Sequence, residues 1–363
     1  MCEWLAKAPD IQLQVLTTDG DGPQRRIDQS SIEPNLRFAV HYCRRAVRPD
    51  ISTELLARLP GMIRRADVVH LNAVYSFTTI PTLGLCRVMR KPVVWSALGA
   101  LQRWGDARRE KMKRVFERAC DALCDTDRVL LHVASEAEGI ESRRRLKNVS
   151  STVIRYGTGV ADWDREQVPP DDPLRLLFMG RLHPIKGIEN LLRAMTLTKT
   201  NMTLAVCGEG EPAYEVQLRS RISELGLTNR VRFHGTVVGE KKEQCFREAD
   251  VCVVASFKES FGAVVAESLA RGVPVIASRG TPWPQLQEIG CGLWVGHHPE
   301  HLAEAIDLAA SLPLAEMGRR GKEWMKRDFS WDSTAAKLIQ TYQTLIDGSH
   351  REEVKVIADP KAA

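Results

Sequence analysis

Segments with the length and composition of β-strands alternate with helix-length amphipathic segments along almost the whole chain. The first half contains six strand candidates, which are IQLQVLTT, LRFAV, DVVHLN, PVVWSAL, RVLLHVA and STVIRY. The second half contains six more, which are LRLLFMG, MTLAVCG, RVRFHG, DVCVVAS, VPVIAS and GLWVG. Strands that alternate with helices form parallel sheets covered by helices on both faces. The sequence therefore predicts an α/β protein with doubly wound sheets.

The length of 363 residues exceeds what one hydrophobic core usually supports, so two domains are expected. A stretch rich in Gly, Pro and Asp, GTGVADWDREQVPPDDP, is typical of a linker between them. We predict an N-terminal domain over 1–165, a C-terminal domain over 166–330, and a helix with a polar tail over 331–363 that packs back towards the first domain. Ligands of such domains bind outside the carboxyl ends of the strands, in a cleft between the two sheets.

The composition and the first residues indicate where the protein is located and whether it binds a metal. The chain has no run of 18 apolar residues, and its first residues lack the pattern of a signal peptide. Nine cysteines are scattered without a His or Cys cluster, which indicates reduced thiols, a cytoplasmic location and no metal site.

Basic residues are concentrated in the first half, where 27 Lys and Arg stand against 21 Asp and Glu over 1–170. Much of this excess lies in RWGDARREKMKRVFERAC and SRRRLKNVS. One interpretation is a set of solvated helix faces, and the other is a surface held against anionic lipid, to which each nearby basic side chain contributes about 1 kcal/mol. Nucleic acid is not an expected partner, because the aromatic residues that stack on single strands are not interleaved with these charges.

The stretch SFKESFGAVVAESLARGVPVIAS contains two glutamates eight residues apart, Glu259 and Glu267. They could form an acid/base pair, a binding clamp or ordinary solvated charges. Eight residues on a helix span about 12 Å, whereas paired glycosidase carboxyl groups lie about 5–9.5 Å apart. The spacing therefore disfavours a hydrolase.

Two loops suit an anion such as a diphosphate. Phe261–Gly262–Ala263 opens a helix, where free backbone N–H groups favour negative charge. The segment GRLHPIKG is a second strand–loop–helix turn, and it contains Arg181 and Lys186. Arginine binds a diphosphate with a planar fork, and lysine supplies a point charge. Together the loops indicate a binding site for a diphosphate with a sugar at one end and a ribose at the other.

With these motifs the chain resembles the family 4 (group 1) glycosyltransferases of the GT-B fold, in which two doubly wound Rossmann-like domains face a central cleft. The matching segments are GRLHPIKG, VCGEGEP, VRFHGTV, ADVCVVASFKESFGAVVAESLARGVPVIAS and FSWDSTAAKLIQTYQTLI. The resemblance covers 174–347, and more loosely 11–155 through VLTTDGDGP, DVVHLN and LLHVASEAE.

The resemblance implies roles for individual residues. Arg181 and Lys186 would stabilise the leaving diphosphate, and Glu259 would contact hydroxyls of the transferred sugar. The implied donor-binding residues are Gly180, Gly208, Thr236, Val237, Ser260, Phe261, Gly262, Ala263 and Glu267, of which Glu267 would accept hydrogen bonds from the ribose. The family transfers with retention, needs no protein nucleophile, and requires no metal or other cofactor.

The acceptor is expected in the N-terminal domain, where His70, Asn72 and Ser96 follow or end predicted strands. The chain departs from the family pattern at its start, because Met1 stands inside the first helix, and the first strand with its glycine loop is expected to be missing. The segment RGTPWPQLQEIG carries T-P-W where many members have glycines and a glutamate. That variant resembles members associated with assembly of bacterial surface polysaccharide.

The sequence thus predicts a retaining transferase that moves a hexose from a nucleotide sugar to a glycan or lipid-linked glycan. A nucleotide-sugar-binding protein without turnover is the alternative, because of the missing first strand. A phosphorylase or an epimerase of the same fold is a third candidate. We further predict peripheral binding to anionic membranes through the basic helix 106–120, with Met112, Val115 and Phe116 as its apolar edge.

Overall fold

The structure, a computed structural model, describes residues 1–21, 25–27, 36–46, 51–103, 109–124, 127–163 and 173–348. It divides into two compact units. Unit 1 comprises Met1–Arg155 and the segment from Asp332 onward, and unit 2 comprises Tyr156–Trp331. The sequence predicts these boundaries at 165/166 and 330/331.

Unit 1 consists of short strands and the helices between them. Its strands are β1 (Gln14–Thr18), β2 (Gly20–Asp21), β3 (Arg25–Arg26), β4 (Ala39–Cys43), β5 (Val69–Asn72), β6 (Val93–Ser96), β7 (Val129–Val133) and β8 (Ser150–Val153). Its helices are α1 (Cys2–Leu5), α2 (Thr53–Arg65), α3 (Thr79–Val88), α4 (Glu110–Leu123) and α5 (Glu136–Arg143).

The main sheet of unit 1 is parallel and has the strand order β5-β6-β7-β8. A second parallel ladder joins β1 to β4, and β2 pairs with β3 in the antiparallel direction. Val93, Trp95 and Leu131 are fully buried on the sheet and form one core with residues of α2 and α3. Among the described strands, β1 and β5 each pair along one edge only.

Unit 2 contains the remaining strands and helices. Its strands are β9 (Leu174–Met179), β10 (Met202–Cys207), β11 (Val231–Gly235), β12 (Val251–Val254), β13 (Val275–Ser278) and β14 (Gly292–Val295). Its helices are α6 (Ile188–Leu197), α7 (Pro212–Glu224), α8 (Glu240–Glu248), α9 (Ala263–Leu269), α10 (Gln285–Ile289), α11 (Pro299–Ala309) and α12 (Leu314–Asp328). The last helix, α13 (Trp331–Ile346), begins at the end of unit 2 and continues into unit 1.

The six strands of unit 2 form one parallel sheet in the order β11-β10-β9-β12-β13-β14. In chain order this is 3-2-1-4-5-6, the doubly wound arrangement in which ligands bind where the order reverses. The reversal lies between β9 and β12, and both strands are almost wholly buried because their side chains are apolar. The loops that follow β9 and β12 are therefore the ones that the topology brings to a binding site.

None of the helices that the structure describes is both long enough and apolar enough to cross a bilayer.

Candidate functional site

The loop after β9 carries Arg181 and Lys186 around one 3-10 turn, Pro184–Lys186. Nδ1 of His183 accepts a hydrogen bond of 3.2 Å from the Ile185 N–H and so caps this turn. Gly187 ends the turn in the left-handed region, at φ 67°. A Cβ at this position would lie 2.1 Å from the Ala255 carbonyl oxygen, so glycine is required for the turn to lie against the end of β12.

The loop after β12 is fastened on two sides by backbone hydrogen bonds. The Phe257 N–H donates to the Ile185 carbonyl at 2.8 Å, which joins this loop to the one after β9. The Glu259 N–H donates to the Gly280 carbonyl at 2.9 Å, which joins it to the segment after β13. Three neighbouring strand ends therefore hold Glu259 in place.

Lys186 and Glu259, two of the three predicted catalytic residues, meet in this structure. Lys186 Nζ lies 2.5 Å from Glu259 Oε1, with side-chain exposures of 25% and 13%. Ser256 Oγ donates to the same oxygen at 2.7 Å. Oε2 of Glu259 has no hydrogen-bond partner within the part of the chain that the structure describes. One carboxylate oxygen is thus occupied, and the other is available to a ligand.

Arg181, the third predicted catalytic residue, is exposed. Its guanidinium group makes no hydrogen bond or ion pair to a described residue. The pKa of His183, which lies between the two cations in sequence, is lowered by burial and then by the positive charge of Arg181. A neutral His183 agrees with its acceptor role at Nδ1. The loop after β9 therefore offers two cations, one of them unneutralised.

The turn at Phe261 and Gly262 rests on an aromatic cluster. The Phe261 ring is buried, with its centroid 5.2 Å from that of Trp283, and Trp283 stacks on Phe329 at 5.1 Å. The Trp283 indole N–H donates to the Phe261 carbonyl. Gly262, at φ 76°, precedes α9. Because α9 has only seven residues, its dipole is short, and most of the positive charge of the site comes from Arg181 and Lys186.

Glu267 lies on α9 and is paired with a cation that the sequence analysis did not single out. Lys242 Nζ of α8 lies 2.9 Å from Glu267 Oε1, and both side chains are about one-third exposed. The next residue of α8, Glu243, pairs with Arg271. Glu267, which was expected to accept hydrogen bonds from the ribose, is therefore part of a partly solvated ion pair between two helices.

Of the remaining predicted donor residues, Gly180, Gly208, Thr236 and Val237 follow β9, β10 and β11, whereas Ser260 and Ala263 lie between β12 and the start of α9. A Cβ on Gly208 would come within 1.9 Å of the Gly180 carbonyl oxygen, so these two loops are in close contact. The Thr236 N–H donates to Glu209 Oε1 at 3.2 Å. Thr236 and Ala263 are exposed, while Val237 and Ser260 are half-buried. Gly208 and Gly180 are thus brought together in this structure.

In unit 1 the residues predicted to contact an acceptor have different surroundings. His70 Nε2 lies 2.7 Å from Ser96 Oγ, and His70 Nδ1 lies 2.6 Å from the Tyr342 hydroxyl of α13. Ser96 is buried and also lies 2.7 Å from His132 Nδ1. Asn72, at the end of β5, is exposed. His70 and Ser96 therefore have internal partners, and Asn72 is the one of the three that is open to solvent.

The Ile154 carbonyl at one end of this chain of hydrogen bonds determines which atom donates at each step. His132 Nε2 lies 2.8 Å from the Ile154 carbonyl, which can only accept, so Nε2 carries the proton. His132 Nδ1 then accepts from Ser96, Ser96 accepts from His70 Nε2, and His70 Nδ1 accepts from Tyr342. Both rings are neutral in this arrangement. Burial, aided by the nearby His132, lowers the pKa of His70 to about 3, and burial also lowers the pKa of His132.

Three residues that position the site were not among the sequence predictions. Ser256 contacts Glu259, Lys242 contacts Glu267, and Trp283 contacts Phe261. A signal existed for Ser256, which stands three residues before Glu259 in a loop that follows a strand. Trp283 belongs to the T-P-W segment that departs from the family pattern, but nothing in the sequence indicates its contact with Phe261. Nothing in the sequence indicated Lys242.

Comparisons with known proteins give matches of sequence and of fold. Residues 160–324 match the family model described as Glycosyl transferases group 1. A D-inositol 3-phosphate glycosyltransferase from Salinispora tropica is 29% identical over 286 residues, which cover 70% of this chain and 58% of the relative. This chain spans 41% to 58% of the first curated relatives that it matches.

Two solved structures show the fold. Sucrose-phosphate synthase from Thermosynechococcus elongatus has a TM-score of 0.73 at 23% identity and covers 95% of this chain and 92% of its own. Anabaena Alr3699/HepE, solved in complex with UDP, has a TM-score of 0.73 at 17% identity and covers 92% of this chain and all of its own. The predicted GT-B fold is confirmed. Residues 160–324, which lie within unit 2, are similar to the group 1 glycosyltransferases.

Proposed function

We propose that this protein is a glycosyltransferase that transfers a hexose from a nucleotide-diphosphate sugar, with retention, to a glycan or lipid-linked glycan. The observation that carries the proposal is the Lys186–Glu259 pair beside the exposed Arg181, at the point where the strand order of unit 2 reverses. The family match and the Anabaena protein, which has been solved with UDP and with UDP-glucose, support a nucleotide-sugar donor.

The two cations would stabilise the leaving diphosphate. Transfer of the sugar leaves negative charge on the bridging phosphate oxygen, and preorganised cations lower the energy of that transition state. Lys186 keeps two N–H donors beside the one directed at Glu259. Arg181 adds a planar fork that two phosphate oxygens can accept from. The charge that a metal ion would otherwise supply is thereby provided by the protein.

Glu259 would orient the sugar through Oε2. A carboxylate oxygen accepts hydroxyl hydrogen bonds well, and this one is without a partner among the described residues. Because Oε1 is held by Lys186, the same carboxylate also fixes the lysine that faces the phosphate. Glu259 acts here as a clamp, and retention follows from attack on the face from which the diphosphate leaves.

The nucleoside would lie further along unit 2. Glu267 would accept from the ribose hydroxyls, which requires that Lys242 share or release its oxygen. The turn Gly235–Thr236–Val237 would lie along the base. Both side chains of the ion pair are partly solvated, so their rearrangement costs little.

We also propose that the protein binds the inner face of the cytoplasmic membrane peripherally, which suits a lipid-linked acceptor of surface polysaccharide synthesis. On α4, Lys111, Arg114 and Arg118 are exposed at a spacing that places them on one face. Met112 and Val115, exposed by 58% and 66%, form an apolar stripe beside them. An exposed basic and apolar face is what anionic lipid attracts.

Two residues of the predicted basic helix, Phe116 and Lys113, are less exposed than a membrane-facing surface requires. Phe116 is half-buried, with its ring 5.8 Å from that of Tyr75, so it does not belong to the exposed stripe. Lys113 Nζ lies 5.0 Å above the Tyr75 ring and is partly engaged there. Arg108 lies outside the described residues. The surface is therefore centred on Lys111, Met112, Arg114, Val115 and Arg118.

A two-stage experiment tests the activity. A thermal-shift screen of the purified chain against UDP-, GDP-, ADP- and dTDP-sugars identifies a donor. That donor is then incubated with glycan acceptors and with D-inositol 3-phosphate, the acceptor suggested by the name of the Salinispora relative. NMR of the product should show the anomeric configuration of the donor. Binding without transfer would instead favour a nucleotide-sugar-binding protein, and an inverted product would exclude retention.

A further inference from the structure

The carboxylate of Glu259 is held asymmetrically. Its Oε1 accepts from Lys186 Nζ at 2.5 Å and from Ser256 Oγ at 2.7 Å, while Oε2 has no partner among the described residues. Two donors on one oxygen fix both the position and the rotation of the carboxylate plane. The orientation of Oε2 therefore depends on Ser256 as well as on Lys186.

The two donors differ in rigidity. Lys186 has a flexible four-carbon stem, and its side chain is 25% exposed. Ser256 is fully buried, and its hydroxyl is one bond from the Cβ, so it has three staggered positions and little room to change among them. Lys186 places a positive charge beside Oε1, and Ser256 holds that oxygen in one position.

The backbone of Ser256 is itself anchored from β13. The Ser278 hydroxyl donates to the Ser256 carbonyl. A Cβ on Gly280 would come within 2.3 Å of that same carbonyl oxygen, so the segment after β13 lies directly against it. Since the Glu259 N–H also donates to Gly280, both ends of the segment from Ser256 to Glu259 rest on 278–280.

We propose that Ser256 is a positioning residue that sets Glu259 so that Oε2 accepts a hydroxyl of the donor sugar. The inference rests on the proposed donor site and assigns a residue that controls recognition of the sugar separately from the diphosphate. Loss of the Ser256 hydroxyl leaves Lys186 as the one described partner of Oε1, and the carboxylate can then rotate. Misplacing a group by about 1 Å can cost up to about a hundredfold in the step that depends on it.

This role has a signature that general destabilisation lacks. Ser256 acts on the sugar through Glu259. Loss of its hydroxyl should therefore weaken the binding of the intact nucleotide sugar and leave the binding of the matching nucleoside diphosphate nearly unchanged. The probes are UDP with UDP-glucose and GDP with GDP-mannose, titrated by calorimetry into the full chain. The variants are Ser256→Ala and the near-isosteric Ser256→Cys, with Glu259→Gln as the reference for loss of the clamp.

Ser268→Ala is the matched control. Ser268 is also fully buried in unit 2, and its hydroxyl donates to the Val273 carbonyl at 3.0 Å, so this variant loses one buried serine hydrogen bond away from Glu259. We expect Ser256→Ala to lower the affinity for the nucleotide sugar about tenfold, as Glu259→Gln does, and to change the affinity for the diphosphate less than twofold, because Lys186 keeps its charged partner. Ser256→Cys, with a weaker donor, should lie between the wild type and Ser256→Ala.

The other outcomes distinguish failure of the positioning role of Ser256 from failure of the proposed donor site. Wild-type affinity of Ser256→Ala for both probes would overturn the positioning role and leave the donor site standing. Equal losses for both probes, with a Tm drop larger than that of Ser268→Ala, would show a purely structural serine and also overturn it. If the wild-type chain binds none of the four probes, the proposed donor site fails, and the inference fails with it.

Discussion

Lys186 and Glu259, 73 residues apart in the sequence, form an ion pair of 2.5 Å between the loops that follow β9 and β12. These two strands are neighbours only because the sheet order reverses between them. The pair therefore depends on the topology of unit 2, and the proposed donor site rests on it. The predictions below test this arrangement and the parts of the molecule around it.

Replacing Lys242 with Gln should increase the affinity for the nucleotide. The change frees Glu267, and an exposed ion pair of this kind contributes about 0.2–1 kcal/mol, so we expect a rise of up to about fivefold in calorimetry. Lys241→Gln, an exposed neighbour on α8, is the control and should have no effect. Weaker binding by Lys242→Gln would mean that Lys242 itself contacts the nucleotide.

Replacing Trp283 with Phe should lower the stability of unit 2. The variant leaves the buried Phe261 carbonyl without its donor, which costs about 1–3 kcal/mol, and we expect a Tm lower by several degrees. Trp294→Phe is the control, because the Trp294 indole donates to the Thr281 carbonyl at 3.1 Å from a half-buried position. A loss as large in the control would show that the Phe261 contact has no special weight.

The stability of unit 1 should fall with acid through the buried histidines. The pKa of His70 is lowered to about 3 in the folded protein, whereas an unfolded histidine titrates near 6.5. Between these values the unfolded chain binds a proton that the folded chain does not, so His70 contributes stability above pH 6.5 and loses it as the pH falls towards 3. The loss approaches about 1.4 kcal/mol per pH unit.

Urea unfolding from pH 7.5 to pH 4.5 measures this effect. His70→Gln should reduce the dependence on pH relative to the wild type, although it lowers stability at pH 7.5. His234→Gln, a change at an exposed histidine of unit 2, should leave the curve as it is. An unchanged slope for His70→Gln would mean that His70 is protonated in the folded protein.

The surface on α4 should bind anionic vesicles in a manner that depends on salt. Each basic side chain near such a membrane contributes about 1 kcal/mol, so the double change Lys111→Gln and Arg114→Gln should weaken co-sedimentation about thirtyfold at low salt. The matched control changes Arg64 and Arg65 to Gln, because these are exposed basic residues of α2. A wild-type chain that stays in the supernatant at low salt would exclude the membrane interaction.

The strands and the loops of unit 2 could be predicted because they depend on local patterns. Six apolar segments of strand length alternate with helices, and all six are strands. Loops that follow such strands lie at one edge of a parallel sheet, and the family resemblance assigned Lys186 and Glu259 to one donor site there. Contacts that depend on side-chain direction across elements could not be derived, and Lys242 with Glu267 is an example.

His70 and Ser96 are a second case in which side-chain contacts between elements could not be predicted from the sequence. Their positions at strand ends suggested contact with an acceptor, since ligands bind at that edge. Their partners are His132, 36 residues from Ser96, and Tyr342, 272 residues from His70. No local pattern indicates that these four side chains form one internal chain of hydrogen bonds. Position along a strand predicted the edge of the sheet, and side-chain pairing determined which groups remain free there.

The most direct test of the donor site is calorimetric titration of UDP, GDP and ADP into the wild type and into Lys186→Ala, with Lys326→Ala, an exposed lysine of α12, as the control for loss of one positive charge. A hydrogen bond to a charged group contributes about 1.5–3 kcal/mol, so Lys186→Ala should bind the preferred nucleoside diphosphate about 10- to 150-fold more weakly while the protein remains folded. The control should bind as the wild type does. Equal affinity of Lys186→Ala and the wild type, or no binding of any of the three diphosphates by the wild type, would contradict the assignment.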